Sequence, residues 1–557
     1  MMNEAVSGGA ASPALAADAN WWRGAVLYQI YPRSFQDTDG DGVGDLKGIT
    51  ARLDHIASLG VDAIWISPFF QSPMKDFGYD VSDYCAVDPL FGTLEDFDKL
   101  IAEAHARGIR VTIDQVLSHT SDQHAWFKES RSSKTNPKAD WYVWADAKPD
   151  GTPPNNWLSI FGGSAWEWDT TRCQYFLHNF LTSQPDINFH SKAAQDALLD
   201  SVEFWLKRGV DGFRLDTVNF YVHSQGLEDN PPSKLEDRNS PEAPAVNPYN
   251  WQDHIHDKSQ PENLEFLKRL RALLDRYPGQ TTVGEIGDGP RSLKTMAAYT
   301  AGGDKLHMCY TFDFLSPIFT KEHFVNRIKA FEAIVGDGWP CWAFSNHDIV
   351  RHVSRWTTDG DYDGVAKLAA SILLSLRGSV CLYQGEELGL TEADIAYEDL
   401  QDPYGIRFWP EFKGRDGCRT PMVWESNGAH AGFSAAKPWL PVPQEHVARA
   451  VNRETADRAS VLAHYRQAIA FRRAHPALHD GSIAFVDSPA DVLAFVRETE
   501  GEKILCVFNL AGTAASFTVP AGTTVSALDG SGFAASLDAS GRTVSLGGRD
   551  AFFGKIA

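Results

Sequence analysis

Short apolar runs that alternate with amphipathic helical stretches constrain this chain more than any other feature. Residues 25–32 (AVLYQIYP), 62–68 (DAIWISP) and 109–116 (IRVTIDQV) are apolar enough for strands buried on both faces. Between them, an amphipathic stretch at 49–59 stops at Gly60. Thr93, three residues before Asp96, forms a capping-box pattern. It opens a helix with Phe97, Leu100, Ile101 and Ala104 on one face, closed by Gly108. Ala194, Leu198, Val202, Trp205 and Leu206 then recur with helical period and stop at Gly209, before a fourth strand at Gly212. Further strands are expected at 281–286, 306–312, 340–348 and 379–383, with helices at 263–275, 318–335, 365–376 and 459–474. Eight strands with intervening helices make an α/β chain, a (β/α)8 TIM barrel.

The rhythm breaks in three places. Residues 118–186, rich in Trp, Asn, Gly and Pro, are too long for an ordinary connection and read as an inserted domain B after strand 3. Residues 221–258 form another long loop. From 481 to 557 the text turns to short alternating runs with Gly, Thr and Val, the pattern of a C-terminal antiparallel β-sandwich. The expected organisation is a disordered arm over 1–20, a barrel over 21–117 and 187–480, the insertion, and the β-domain.

The net charge of −22, from 73 acidic against 51 basic residues, argues against nucleic acid and anionic membranes as partners. Seven scattered cysteines without a CxxC pair read as reduced, buried thiols. With no signal peptide and no transmembrane-length segment in the text, the expected location is the cytoplasm.

A barrel gathers the C-terminal ends of its strands over one mouth. Those ends carry Asp114 with His119, Arg214 with Asp216, Glu285, and His347 with Asp348. Arg214 and Asp216, two residues apart, leave the same side of their strand. Converging carboxylates repel one another and raise at least one pKa. A protonated acid beside ionised partners is what glycosidic bond cleavage needs. The competing readings are separate strand-end ion pairs or a metal site using His119 and His347; Arg214 in the middle argues against a cation. Gly284, just before Glu285, fits a close backbone approach or a bulge.

A second acidic cluster lies early in the chain. Asp37, Asp39, Asp41 and Asp45, with the carbonyl of Val43, match the first nine places of a calcium loop. Gly48 stands where the bidentate Glu of such a loop belongs. The alternative to a structural cation is a solvated acidic turn.

DQVLSH (114–119), GFRLDTVNF (212–220), GE (284–285) and SNHD (345–348) resemble the four sequence regions of the α-amylase family, glycoside hydrolase family 13, and QPDIN (184–188) resembles its additional region. The resemblance spans the chain from about Trp21 onward. It implies Asp216 as nucleophile, Glu285 as general acid/base and Asp348 as the third acid. It also implies that Arg214 keeps the nucleophile ionised, that His119 and His347 bind the reacting sugar, and that Asp114 supports the site. No cofactor is implied for catalysis, only a structural Ca2+ or Mg2+.

KDFGY (75–79) and GRDGCRTPM (414–422) resemble the oligo-1,6-glucosidase and α-glucosidase branch. There Asp76 and Arg415 would clamp the terminal glucose, Tyr79 would stack on it, and Phe161 and Phe180 would line the pocket. Thr217, where that branch has Thr for α-1,4 and Val for α-1,6 preference, points to maltose-like substrates. The expected activity is a retaining exo-acting α-glucosidase on small α-glucosides, with glucosyl transfer to sugar or alcohol acceptors. Oligo-1,6-glucosidase and sucrose-active glucosyltransferase remain the alternatives. An inactive scaffold relative would show a lost acid or a membrane anchor. A monomer or homodimer is expected.

Overall fold

The computed structural model describes residues 18–238 and 242–557. Most of the arm expected over 1–20 lies outside the described residues. Eight parallel strands form the central sheet: β1 Val26–Ile30, β2 Ala63–Ile66, β3 Arg110–Gln115, β4 Gly212–Leu215, β5 Thr281–Ile286, β6 Met308–Thr311, β7 Cys341–Ala343 and β8 Ser379–Tyr383. Their order is β6-β5-β4-β3-β2-β1-β8-β7, and a parallel bridge between Cys309 and Pro340 joins the two ends of the sheet. The barrel expectation holds. All eight strands are buried apart from Arg110 at the start of β3, as sheets covered on both faces must be.

The helix before β4, Lys192–Lys207, buries Ala194, Leu198, Val202, Trp205 and Leu206 against the barrel. Trp205 is the centre of that contact. Its ring meets Phe69, Phe70 and Phe97 at 5.6, 5.3 and 4.9 Å, and its indole N–H donates to the Tyr84 carbonyl at 2.8 Å. The capping box at Thr93 forms as read, with both reciprocal hydrogen bonds present.

Three local readings are corrected. The helix expected over 49–59 is two helices, Leu46–Ala51 and Leu53–Leu59, parted at Arg52. Arg52 leaves helical geometry with its guanidinium 4.3 Å above Trp424 and bonded to Gln36. The first helix starts early because the Asp45 side chain caps it, accepting the Gly48 N–H at 2.7 Å. The seventh strand is short: after Ala343 the SNHD segment turns, with Asn346 accepting the Asp348 N–H and Arg419 donating to the His347 carbonyl. The thiols are free, but Cys173 is exposed at a hairpin turn and Cys85 is half-buried, because each lies outside the barrel core.

After β3 the chain leaves the barrel. It forms a short helix, Ala125–Arg131, and a three-stranded antiparallel sheet of Trp144–Ala145, Gln174–Leu177 and Trp166–Asp169. Bridges between His119 and Asp186 and between Tyr142 and Ile187 tie its two ends together. Beyond Gly481, a five-stranded and a three-stranded antiparallel sheet enclose an apolar core with Leu505, Val507, Phe517, Val544 and Phe552. Among the described residues no helix is long and apolar enough to cross a membrane.

Trp205→Ala removes a fully buried indole from a dense aromatic cluster and is expected to cost about 3–5 kcal/mol. Urea unfolding followed by tryptophan fluorescence measures the loss.

Candidate active site

Arg214 is the hub of the barrel mouth. Strand register sets it beside Asp114 on β3 and Val283 on β5, and sets Glu285 beside Tyr310 on β6. Its guanidinium is fully buried. It donates to both oxygens of Asp114 at 2.9 and 3.0 Å, to Asp216 at 2.6 Å, to Glu285, and to the Tyr310 hydroxyl at 2.8 Å. Trp65 lies 4.9 Å from its charge. The three acids expected at strand ends three, four and five are thus held by one cation. Gly284 owes its identity to packing: a Cβ there would meet Leu306, Cys309 and Val218 within 3.0 Å.

A relay supports Asp114 from the other side. Gln29 on β1 donates to Nδ1 of His347 at 2.7 Å, so His347 carries its proton on Nε2 and donates to the Tyr79 hydroxyl at 2.6 Å. Tyr79 in turn donates to Asp114 at 3.0 Å, and the Trp65 indole adds a further bond at 3.2 Å. Tyr79 and His347 stack, with centroids 5.2 Å apart and planes 6° off parallel. Burial pushes His347 well below its ordinary pKa and His119 down to about 4, so both imidazoles are neutral.

A second arginine cluster closes one end of the cavity. Arg415 donates to Asp76 at 2.8 Å, to Asp348 at 3.1 Å and to Asp402 at 2.9 Å, with Phe161 5.1 Å from its charge. Arg419 also donates to Asp348, at 2.9 Å. Gln184, from the QPDIN segment, donates to Asp76 at 3.0 Å. The cavity between the two clusters measures about 740 Å³ with its mouth included. It is lined by Asp76, Tyr79, His119, Phe161, Phe180, Asp216, Thr217, Glu285, His347, Asp348 and Arg415, all expected from the sequence. Ile160, Phe220, Glu242, Gly287, Phe312, Ile349 and Tyr404 complete it. No tryptophan is among the described residues that line it.

Asp402 and Arg419 are the main residues that sequence reasoning missed. Arg419 was visible in the GRDGCRTPM segment. Asp402, followed by Pro403, looks only like a helix cap, and it does cap the helix Pro403–Phe408 by accepting the Tyr404 N–H. Arg214 is itself absent from the cavity lining, lying beneath the acids.

Asp114, Asp216, Glu285, Asp348, Asp76 and Asp402 are six carboxylates held by three guanidinium groups. Burial, only partly offset by Arg214 and reinforced by Asp216 and Asp348, pushes Glu285 up to about 8. Burial raises Asp114 to about 7 and Asp76 to about 6, against the pull of Arg214 and Arg415 respectively. At Asp348 burial is outweighed by the charges of Arg415 and Arg419, beside the His347 Nε2–H at 3.2 Å, and its carboxyl stays below the ordinary range. The cavity therefore contains a protonated acid next to an ionised one.

Thr217 adopts a left-handed backbone (φ 40°, ψ 47°), rare for a β-branched residue. That conformation turns its N–H onto Glu285 at 3.2 Å and leaves its hydroxyl 3.3 Å from Asp216 and 3.1 Å from Ser118.

Away from the mouth, Asp37, Asp39 and Asp45 bring carboxylate oxygens within 4.8 Å of one another. Asp41 is not in that group; its carboxylate turns back to accept the Val43 N–H at 2.7 Å. Gly48 is required as glycine, since a Cβ there would fall 1.9 Å from the Gln36 carbonyl oxygen. A calcium-loop Glu could not stand at that position.

The α-amylase catalytic-domain family matches residues 29–481, and the maltogenic-amylase C-terminal domain matches 483–552. The chain belongs to the α-amylase family. It is 62% identical to a Rhizobium meliloti protein named a probable α-glucosidase, covering 98% of this chain and 99% of that one. It is 39% identical to an oligo-1,6-glucosidase of Heyndrickxia coagulans, covering 90% and 94%. Among solved structures it resembles the α-glucosyl transfer enzyme XgtA, with 55% identity, a TM-score of 0.94 and coverage of 96% and 99%. It also resembles the trehalulose synthase MutB of Pseudomonas mesoacidophila MX-45, with 36% identity, a TM-score of 0.87 and coverage of 97% and 100%.

A raised carboxyl pKa has a consequence for stability. Between the ordinary value of 4.5 and about 8, Glu285 is protonated when folded and ionised when unfolded, so its contribution to stability falls as pH rises through that window. Glu285→Gln lacks this loss. The Tm of the variant minus that of the parent is expected to grow by roughly 2 °C or more from pH 5 to pH 8. A constant difference would mean that Glu285 is ionised throughout.

Proposed function

We propose that this α-amylase-family chain is a retaining exo-acting α-glucosidase that releases the terminal glucose of small α-1,4-glucosides and passes part of it to sugar or alcohol acceptors. The observation that carries this reading is the closed end of the cavity. Asp76, Asp348 and Asp402 lock Arg415 across it, and in this reading one sugar fits between Arg415 and the Arg214 cluster. A chain of sugars could not run through, so only a chain end fits. The 62% identical relative bears the α-glucosidase name.

In this reading Glu285 gives its proton to the glycosidic oxygen while an oxygen of Asp216 bonds to the anomeric carbon, and the leaving sugar departs as an alcohol. Glu285, now ionised, takes a proton from water or an acceptor hydroxyl. That oxygen bonds to the anomeric carbon from the face the leaving group vacated, and Asp216 is released. Two inversions retain the α configuration. Arg214 donates to Asp216 at 2.6 Å and orients it, while burial keeps Glu285 protonated at neutral pH. Asp348, His119 and His347 hold the hydroxyls of the reacting glucose, Tyr79 stacks on it, and Asp76 with Arg415 grips its far side. Phe161 and Phe180 wall the pocket, and no cofactor takes part.

Thr217 supports the α-1,4 preference, since its hydroxyl is held beside the nucleophile where the next sugar must sit. Transfer is supported by the 55% identity to an α-glucosyl transfer enzyme. Oligo-1,6-glucosidase and sucrose-active readings rest on relatives of 39% identity or less. We further assign a structural Ca2+ or Mg2+ to Asp37, Asp39 and Asp45, a set of hard carboxylate oxygens suited to such an ion, with Asp41 and the Val43 carbonyl nearby in the same loop. The chain is read as cytoplasmic, acting as a monomer or homodimer.

Asp216→Asn is expected to lower kcat on p-nitrophenyl α-glucoside by 10³-fold or more (order of magnitude). NMR of parent reactions should show α-glucose as first product, with kcat/KM for maltose above that for isomaltose. β-Glucose would overturn the mechanism, and equal kcat/KM values the linkage preference. Activity of the parent should fall above pH about 8, as Glu285 loses its proton. For the metal loop, elemental analysis after exhaustive dialysis should find one divalent cation per chain, lost in Asp37→Ala.

A further inference from the structure

The Asp76–Arg415 end of the cavity is accounted for by the glucose that is cleaved off. The opposite side contains a carboxylate without a role so far. Glu242, on the long loop after β4, lines the cavity while its side chain is only 6% exposed. It lies across the backbone of Gly287, where an added Cβ would come within 3.3 Å of its carboxyl group. Gly287 is two residues beyond Glu285, so Glu242 sits on the side from which the proton reaches the leaving oxygen.

Its position is built. Lys258, itself 2% exposed, donates to Glu242 at 3.2 Å, to the Tyr249 hydroxyl at 3.1 Å and to the Gly287 carbonyl at 2.8 Å. The Gly289 N–H donates to the other oxygen of Glu242. Asn219, close to the nucleophile in sequence, clamps Gly287 through both its N–H and its carbonyl, at 3.2 and 2.8 Å. Burial opposes the charge on Lys258, but Glu242 and Tyr249 outweigh it and hold its pKa above the ordinary value. A carboxylate offers about four acceptor sites, more than its bonds to Lys258 and the Gly289 N–H engage. Phe220 and Phe312 add apolar surface beside it.

We propose that Glu242, held by Lys258 and the Gly289 N–H, is a specificity-determining residue that accepts hydrogen bonds from hydroxyl groups of the leaving sugar and of sugar acceptors. The assignment rests on the α-glucosidase reading and extends it to the acceptor side of the same cavity. Hydroxyl groups bonded to a carboxylate gain a charge-assisted interaction that an aryl leaving group cannot make. Glu242 therefore discriminates sugar from non-sugar partners at the leaving position, and does not act on the anomeric carbon.

The experiment compares kcat/KM for maltose and for p-nitrophenyl α-glucoside in the parent, Glu242→Gln and Glu242→Ala. The maltose-to-aryl ratio should fall about tenfold or more in Glu242→Ala and by a smaller factor in Glu242→Gln, which keeps the shape and one acceptor oxygen. Transfer to glucose should fall relative to transfer to methanol in the same variants. A ratio within about twofold of the parent in both variants overturns the assignment, because a purely structural role depresses both substrates together. Glu242→Gln keeps the test open if the alanine variant fails to fold. A parent enzyme that cleaves neither substrate overturns the underlying α-glucosidase reading as well, which separates that failure from a failure of Glu242 alone.

Discussion

The buried guanidinium of Arg214 is the interaction on which the rest of this molecule depends. Taking such a charge out of water is expensive unless it is paired and fully hydrogen-bonded. Here four partners, Asp216 at the end of the same strand and Asp114, Glu285 and Tyr310 from the neighbouring β3, β5 and β6, supply those bonds. The barrel has to close with β3, β4, β5 and β6 in one register for all four to meet it. The same geometry brings two carboxylates of unlike character to one cation. The fold and the chemistry are therefore not separable at this point: the arrangement that satisfies the arginine is the one that assembles the acids.

Charge balance then divides labour among the acids. Three guanidinium groups cannot neutralise six carboxylates, so burial is free to protonate whichever acid is worst compensated. Asp348 lies between Arg415 and Arg419 and remains ionised. Glu285 shares Arg214 with two other acids and faces the charges of Asp216 and Asp348, and it takes up the proton. Neutral imidazoles at His119 and His347 add hydrogen bonds to this system without adding cations. A histidine charged at neutral pH would pull Glu285 back toward ionisation.

Much of this was legible in the residues. The alternation of apolar runs and helical periods gave the barrel, and the strand-end acids fell at the mouth where such a fold gathers them. What could not be read are partners brought in by loops far apart in the chain. Asp402 lies 54 residues beyond Asp348, on a different loop, and its sequence context is that of an ordinary helix cap. Glu242 lies in a long Pro- and Asn-rich stretch without periodicity, and only its approach to Gly287 reveals it. The SNHD segment was misread as strand because its apolar lead, PCWAF, has strand composition. The turn that ends pairing depends on a hydrogen bond from Arg419, remote in sequence. Asp45 was read as a metal ligand only, although the same carboxylate also starts a helix.

The two sides of the cavity are built on different principles, and that difference bears on what can vary among relatives. The end that we propose holds glucose is over-determined: Arg415 is fixed by three carboxylates, one of them also bound by Arg419, and Asp76 is further held by Gln184. Changing any one of these groups leaves a buried charge without its partner, which costs far more than a lost surface contact. The side that we propose faces the leaving sugar is lined by Thr217, Phe220, Gly287, Phe312 and Glu242, residues of loop segments at the strand ends. There a side chain can change with less electrostatic penalty, since most of the wall is apolar or small. In the proposed reading, linkage and acceptor choice can drift at that side while the grip on glucose stays constant. Relatives named for α-glucoside hydrolysis, α-1,6 hydrolysis and glucosyl transfer can share one fold on this basis.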